Sequence, residues 1–495
     1  MKILLAKAAY IDSIHVSIIP PLGPLYLASA IARHRPQDEV RFLDLRFRPE
    51  AEFDRLLSSW RPDVVGISAI TIEGPHAARV ASRAKRLSPG VTVVVGGPHP
   101  TSYPREVAAD PHVDAAVLHE GEETFVDLLD HLERGDDLGT VKGIAFSRPD
   151  GAFVQTPPRD YIADLDALAR PAWDLIDFAD YEVYKTFSIL GPRRVAPVIT
   201  SRACPYRCTY CHDMFGKKFQ SRTPGDVLDE LEYLRRERGI TRFEIIDDIF
   251  NIDRPRARAI LQGIIDRGLD IKLSFPNGLR GDLLDEELID LFARAGTEYV
   301  SLAVETASPR LQRMIRKHIH LDKLRFAIDA FVKRRVFVNC FYMLGFPTET
   351  VAEMNATIDY AARAPSHSAM FFIVTPYQGT EMSRTLGDAV HAPLDSMGYY
   401  TNGLNVSGNI PTETLHRAAK RAYFRLLADP RRLWRILRDH PNKRYFLGMA
   451  RLLLSRVVFD NLNDRTLLKR LRAALDVRPA PAAAPRAPAR GIVLQ

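Results

Sequence analysis

The stretch PVITSRACPYRCTYC, residues 197–211, joins an apolar run to three cysteines spaced four and three residues apart, Cys204, Cys208 and Cys211. Three thiolates at that spacing can reach three corners of one cube of iron and sulfide, which leaves one iron without a protein ligand. Zinc is the alternative for such a donor set, but a structural zinc site closes a tetrahedron, and only His212 stands nearby as a fourth ligand. Pro205, Tyr206 and Tyr210 would shield a cluster from solvent. Four cysteines in 495 residues, three of them in this one loop, are not a disulfide framework and fit a reducing compartment. The fourth, Cys340, lies in the apolar run FVNCFYM and reads as a small core residue.

Working outward, the segment after the cysteines alternates amphipathic and apolar runs: DVLDELEYLRRERG, FEIIDD, RARAILQGIIDRG, KLSFPNG, DEELIDLFARAG, EYVSLAVE, LDKLRFAIDAFVKRRV, FVNCFYMLG and MNATIDYAARA. Five or six such βα units predict a full or partial (β/α) barrel over residues 195–390, with its active face at the loops that follow the strands. Before the cysteines, residues 1–145 alternate in the same way through KILLA, VRFLDL, DVVGISAI, TVVVGG and VDAAVLH, which predicts an α/β, doubly wound (Rossmann-like) domain. Its ligand loops are then Ser68–Gly74 and Gly96–Thr101, where Gly96, Gly97 and Pro98 permit close approach to the backbone. Residues 146–194, broken by Pro157, Pro158, Pro171 and Pro192, read as a linker with short strands. Residues 391–477 are helical in pattern and basic, and residues 478–495 form a Pro/Ala-rich tail expected to be disordered.

The composition, 46% hydrophobic and 26% charged, is that of an ordinary globular chain. The net charge of +7 arises from 68 basic against 61 acidic residues, an excess too small to predict a nucleic-acid partner. The first residues read as a strand rather than a leader, and no run of about 18 apolar residues is long enough for a membrane span. A cytoplasmic enzyme is the expectation. The basic C-terminal helices can pack on the barrel with their charges solvated, or they can make peripheral contact with a membrane surface.

The segment ACPYRCTYC resembles the cluster motif of the radical S-adenosylmethionine superfamily, including the aromatic residue before its last cysteine. The resemblance implies a 4Fe-4S cluster on Cys204, Cys208 and Cys211, with S-adenosylmethionine chelating the open iron and yielding a 5'-deoxyadenosyl radical on reduction. FEIIDDIFNID resembles the second-strand motif, so Asp247 and Asp248 are candidates for the amino group of S-adenosylmethionine. SFPNGLRGD resembles the fourth-strand region, with Asn277 and Arg280 for ribose or carboxylate. VSLAVETAS resembles the fifth-strand region and keeps Glu305, while Ala303 and Thr306 depart from the usual glycine and serine. MLGFPTET resembles the loop that passes the adenine, with Gly345, Pro347 and Glu349 in place.

The N-terminal domain resembles the cobalamin (B12) module of one branch of this superfamily, through PPLGPLYLASAI, DVVGISAIT, VVVGGPHPT and AAVLHEGEETFVDLL. The resemblance assigns Ser68, Ile70, Thr71, Glu73, Gly96, Gly97, Pro98, His99, Glu120 and Gly121 to the cofactor crevice. Modules that ligate cobalt through histidine read Asp-x-His-x-x-Gly; this chain has Asp12 and His15 in another spacing, so His15 is expected to be a loop residue and no histidine to lie beneath cobalt. The implied activity is a methyltransferase: one S-adenosylmethionine methylates cobalamin, a second generates the radical, and the substrate carbon takes methyl from methylcobalamin. A small-molecule substrate, secondary metabolite or lipid-like, and a reducing partner such as flavodoxin or ferredoxin follow. The alternatives are a cyclase, oxidoreductase or rearrangement enzyme with the same cofactors, or a non-catalytic iron–sulfur electron carrier.

Overall fold

Strands rich in Val, Ile and Leu, buried on both faces, form two parallel sheets in the computed structural model, which describes residues 1–10, 17–387, 405–443 and 445. The first sheet contains β1 (Lys2–Lys7), β2 (Glu39–Asp44), β3 (Val64–Ser68), β4 (Thr92–Gly96), β5 (Ala115–Val117), β6 (Ile144–Ser147) and β7 (Phe153–Gln155), in the order β2-β1-β3-β4-β5-β6-β7. β1 to β5 run parallel and carry helices on both faces, with Leu22–His34 and Glu122–Arg134 on one and Gly74–Leu87 on the other. The order reverses between β1 and β3, and the crevice at that reversal is where such sheets bind ligands. β6 and β7 add an antiparallel edge, so the sheet runs on past residue 145.

A second sheet holds β8 (Ala196–Val198), β11 (Arg242–Ile245), β12 (Lys272–Leu279), β13 (Thr297–Glu305), β14 (Phe337–Leu344) and β15 (Ser368–Ile373) side by side in chain order, all parallel. This is a six-stranded open arc, the partial form of the expected barrel. Between β8 and β11 the two-residue strands β9 (Ser201–Arg202) and β10 (Gln220–Ser221) pair antiparallel and close the base of the cysteine loop. The helices start where the sequence supplies caps: Thr223, Asp253, Asp285 and Thr350 each accept a hydrogen bond from their own first turn.

The region read as a linker fills the bottom of the arc. The backbone N–H groups of Phe187 and Ser188 donate to buried Glu244 at 3.1 and 2.9 Å, and Leu190 packs in one cluster with Tyr299, Phe337 and Ile436. Helices Thr412–Leu427 and Pro430–Asp439 cover the outer layer, burying Leu415, Ala418, Ala422 and Leu426 in the barrel's main core. Asp12, His15, the rest of the basic C-terminal segment from 446 and the 478–495 tail lie outside the described residues. Among the described residues no helix is long and apolar enough to cross a membrane.

Candidate functional site

The cysteine loop is braced from below by two segments of the barrel mouth. The Thr209 N–H donates to the Ile315 carbonyl at 3.2 Å, the Met382 N–H donates to the Thr209 carbonyl at 2.8 Å, and Cys211 N–H closes a turn onto Cys208 O at 3.2 Å. Cys204 and Cys208 are half-buried and Cys211 is exposed as a residue, and burial pushes the Cys204 and Cys211 thiols up, the latter to about 12. Among the described residues no three Cys, His, Asp or Glu side chains converge on one ion. His212 lies beside Asp248. Cys340 is fully buried on the helix-facing side of β14, within the main core.

Around this loop the structure sorts the expected residues. Asp248 sits against it, accepting from the Ala203 backbone and lying near Cys204, and burial pushes its carboxyl up. Asp247 does something else: its two oxygens take the Thr200 N–H at 2.6 Å, the Thr200 hydroxyl at 2.5 Å and the Ser201 hydroxyl at 2.7 Å. It therefore latches the strand end that leads into the loop. Arg280 lies under the loop with its guanidinium carbon 4.0 Å from the Tyr206 ring, held by Asp282 at 3.0 Å and the His318 carbonyl at 3.1 Å. Asn277 donates to the Ile246 carbonyl at 2.6 Å, tying the ends of β11 and β12.

Glu305 is buried in left-handed backbone, φ +65°, and receives the Tyr210 hydroxyl at 2.9 Å and Lys317 Nζ at 3.1 Å. Lys317 carries no motif, yet it stands between Glu305 and the Cys208 and Cys211 thiols. Arg316 and His318 on either side of it are also left-handed, φ +53° and +52°, the kind of local strain that holds a side chain in place at a functional site. Gly345, φ +87°, and Phe346 donate to one oxygen of Glu349 at 2.5 and 3.2 Å, shaping the turn that ends in Pro347, and Phe346 packs edge-on to Tyr210.

In the N-terminal domain the switch-point crevice is built on a buried ion pair, Lys7 with Glu73, and Glu73 also takes the Ile70 N–H at 2.8 Å. Glu73 thus fixes the Ile70–Thr71 loop, while Ser68 continues the β1–β3 pairing by accepting from Ala8 at 3.0 Å. Gly97 has φ +100°, and a Cβ there would stand 2.9 Å from the Ala69 carbonyl. A Cβ on Gly74 would meet the His99 ring at 2.5 Å, so these glycines let the two ligand loops close on each other beside Gly96 and Pro98. His99 is buried, its Nδ1 has no partner among the described residues, and burial lowers its pKa to about 4. A buried neutral nitrogen left unsatisfied is the kind of group a bound cofactor completes.

Glu120 and Gly121, expected in that crevice, point elsewhere. Glu120 binds Arg202 at 2.6 Å and the Ile162 N–H at 2.7 Å, and Gly121 makes room for Leu27, which a Cβ would approach to 3.1 Å. The reason is that β5 ends at the seam between the domains. There His119 Nδ1 donates to the Met214 carbonyl at 3.0 Å, and the Gln378 backbone reaches the Tyr103 hydroxyl. The ligand-bearing ends of both sheets accordingly meet across one seam.

Comparison with known proteins agrees with this arrangement. Residues 15–129 match the B12 binding domain family and residues 198–361 the Radical SAM superfamily. An uncharacterised methyltransferase of Pyrococcus horikoshii is 31% identical over 87% of this chain and 94% of its own length. The anaerobic magnesium-protoporphyrin IX monomethyl ester cyclase of Rubrivivax gelatinosus is 29% identical over 75% of this chain and 67% of its own. The solved cobalamin-dependent radical enzyme OxsB, with aqua-cobalamin and S-adenosylmethionine bound, shares the fold at a TM-score of 0.68 and 15% identity, covering 96% of this chain and 75% of that one. The chain belongs to the radical S-adenosylmethionine enzymes that carry a B12-binding domain ahead of the barrel, and its cofactors are an iron–sulfur cluster, S-adenosylmethionine and cobalamin.

Proposed function

We propose that this enzyme transfers a methyl group to an unactivated carbon of a small molecule held between its two cofactor sites. The observation that supports the reading is the seam itself: the loops that follow β4 and β5 meet the cysteine loop and the loop after β15, joined through His119–Met214 and Tyr103–Gln378. The bound cofactors supply hydrogen abstraction on one side and methyl delivery on the other. The chain's own residues position them. Cys204, Cys208 and Cys211 hold the cluster, Asp248, Asn277, Arg280, Glu305 and the Gly345–Pro347 turn surround S-adenosylmethionine, and the loops at Ser68–Glu73 and Gly96–His99 hold cobalamin. Glu73 and Asp247 act by fixing the loops that make these contacts.

The inward positions near the barrel mouth, Ala303, Phe341, Met343, Met370 and Phe372, are apolar and half-buried, with Phe341 and Phe372 edge to face at 5.7 Å. They favour a substrate whose reacting part is hydrocarbon or aromatic, a secondary metabolite or lipid-like compound. The test uses S-adenosylmethionine with a trideuterated methyl group and a flavodoxin or ferredoxin as reductant. Label in the product supports methyl transfer. A product that has lost hydrogen and gained no label would place the enzyme with ring closure or oxidation, as the name of the cyclase relative describes for that protein. Release of no 5'-deoxyadenosine would leave only an electron carrier. A cytoplasmic location fits this oxygen-sensitive chemistry. Peripheral membrane contact has a candidate surface in exposed Trp434 and Leu437 beside Arg431, and loss of liposome flotation in Trp434→Glu tests it.

A further inference from the structure

The cysteine loop is gripped at both ends by one corner of the N-terminal domain, residues 119–122. Upstream, Arg202 stands two residues before Cys204 and splits its guanidinium between Glu120 and Glu122, each at 2.6 Å, with the three side chains between 4% and 9% exposed. The rings of Tyr26 and Phe215 lie 5.6 and 5.3 Å from the same guanidinium. Downstream, His119 holds Met214 O, and the Tyr161 ring packs so close to Gly216 that a Cβ there would come within 2.7 Å. The corner is wired in turn to the ligand loop of its own domain. The Thr101 hydroxyl donates to the Gly97 carbonyl at 3.0 Å and accepts the His119 N–H at 2.9 Å, and His119 is left-handed, φ +59°.

A path of hydrogen bonds therefore runs from the Gly97 turn through Thr101 and His119 to the downstream flank of the cysteines, and the 119–122 backbone carries it on to the Glu120 and Glu122 ion pairs with Arg202 at the upstream flank. We propose that Arg202 and His119 are positioning residues that couple the two cofactor sites, so that filling the crevice at Gly97 orders the cysteine loop, and ordering that loop in turn favours filling the crevice. Mutual effects of equal size follow from linkage whenever two sites bias one element. A buried arginine shared by two carboxylates suits that element, because its planar fork fixes direction as well as distance. The inference rests on the family's two cofactors and not on methyl transfer.

The experiment uses the full chain with its cluster reconstituted, with and without hydroxocobalamin, and reads hydrogen exchange in peptides covering 203–216 together with the paramagnetic spectrum of the reduced cluster. In the unaltered protein, cobalamin should slow exchange of the loop roughly fivefold or more, the usual scale of such coupling, and shift the spectrum. Arg202→Met should keep cluster iron and cobalamin absorption yet show the same exchange and spectrum with and without cobalamin. Glu122→Gln, which keeps a hydrogen bond and loses one charge, should give a reduced response and decides the matter if Arg202→Met does not fold. A loop that responds to cobalamin equally in all variants, or does not respond in the unaltered protein, overturns the coupling. Failure of the unaltered protein to take up cobalamin at all would instead overturn the cofactor assignment.

Discussion

Glu349 has no solvent exposure; Gly345 and Phe346 both donate to one of its oxygens, and the other has no partner among the described residues. Burial raises its pKa from 4.5 to about 7, with Glu353 pushing the same way and Arg310 against. The folded state therefore keeps a proton that the unfolded state has released between pH 4.5 and 7, and stability from this group falls as pH rises through that window. Glu349→Gln cannot titrate. Its unfolding free energy should gain on the unaltered protein by up to about 3 kcal/mol from pH 4.5 to 7 and no further above it. Urea titrations at several pH values measure this, and a constant gap would refute it. The cysteines give a sharper expectation: alanine at Cys204, Cys208 or Cys211 should abolish iron and sulfide uptake, whereas Cys340→Ala should retain both. The cysteines were legible because a cluster's ligands here are local in sequence. Asp247 and Asp248 were not distinguishable, because neighbours at a strand end face opposite ways and only the fold says which meets the loop. Lys317 left no signal at all, since it is brought to Cys208 and Cys211 by a strained turn from a different βα unit.

At the scale of elements, the βα alternation was readable wherever strands reached four or five apolar residues. The two-residue pair β9 and β10 is too short to carry a period, although it closes the loop that matters most. The 186–190 stretch also gave no pattern, because its order comes from Glu244 and Tyr299, more than fifty residues away. Glycines at loop turns translate into element-level expectations. Gly97→Ala would force a side chain into φ +100° and 2.9 Å from the Ala69 carbonyl, costing about 1–3 kcal/mol and displacing the ligand loop. Gly296 has the same strain, φ +88° with a Cβ 2.3 Å from the Ile271 carbonyl, but it lies at the opposite end of β13 from the cysteines. Both variants should melt lower, and only Gly97→Ala should also lose cobalamin uptake, read from visible absorption. Equal uptake by the two would mean that the Gly97 turn does not shape the crevice.

For the whole molecule, the sequence left two uses open for the basic C-terminal helices, and the described part of them is a wall of the barrel. Arg432, 1% exposed, donates to the carbonyls of Ala361, Ala362 and Ala364 at 2.8–3.0 Å, where helix Val351–Arg363 ends with unsatisfied acceptors. His367, fully buried, pairs with Asp439 at 3.0 Å and uses its other nitrogen to accept the Val338 N–H at 2.9 Å. Sequence could not show either contact, because an arginine that caps a distant helix looks like any solvated charge. Asp439→Ala should cost about 1–3 kcal/mol, the penalty of leaving the buried Nε2–H of a neutral His367 without its acceptor. Ending the chain after Pro411 removes far more: it bares the apolar seats of Leu415, Ala418, Ala422 and Leu426 and leaves three helix-end carbonyls and His367 unpaired at once. The truncated chain should aggregate or melt without cooperativity, measured by light scattering and thermal unfolding. A monomer with the full chain's transition would show that these helices are an appendage, and would return their arginines to the role of an external docking surface.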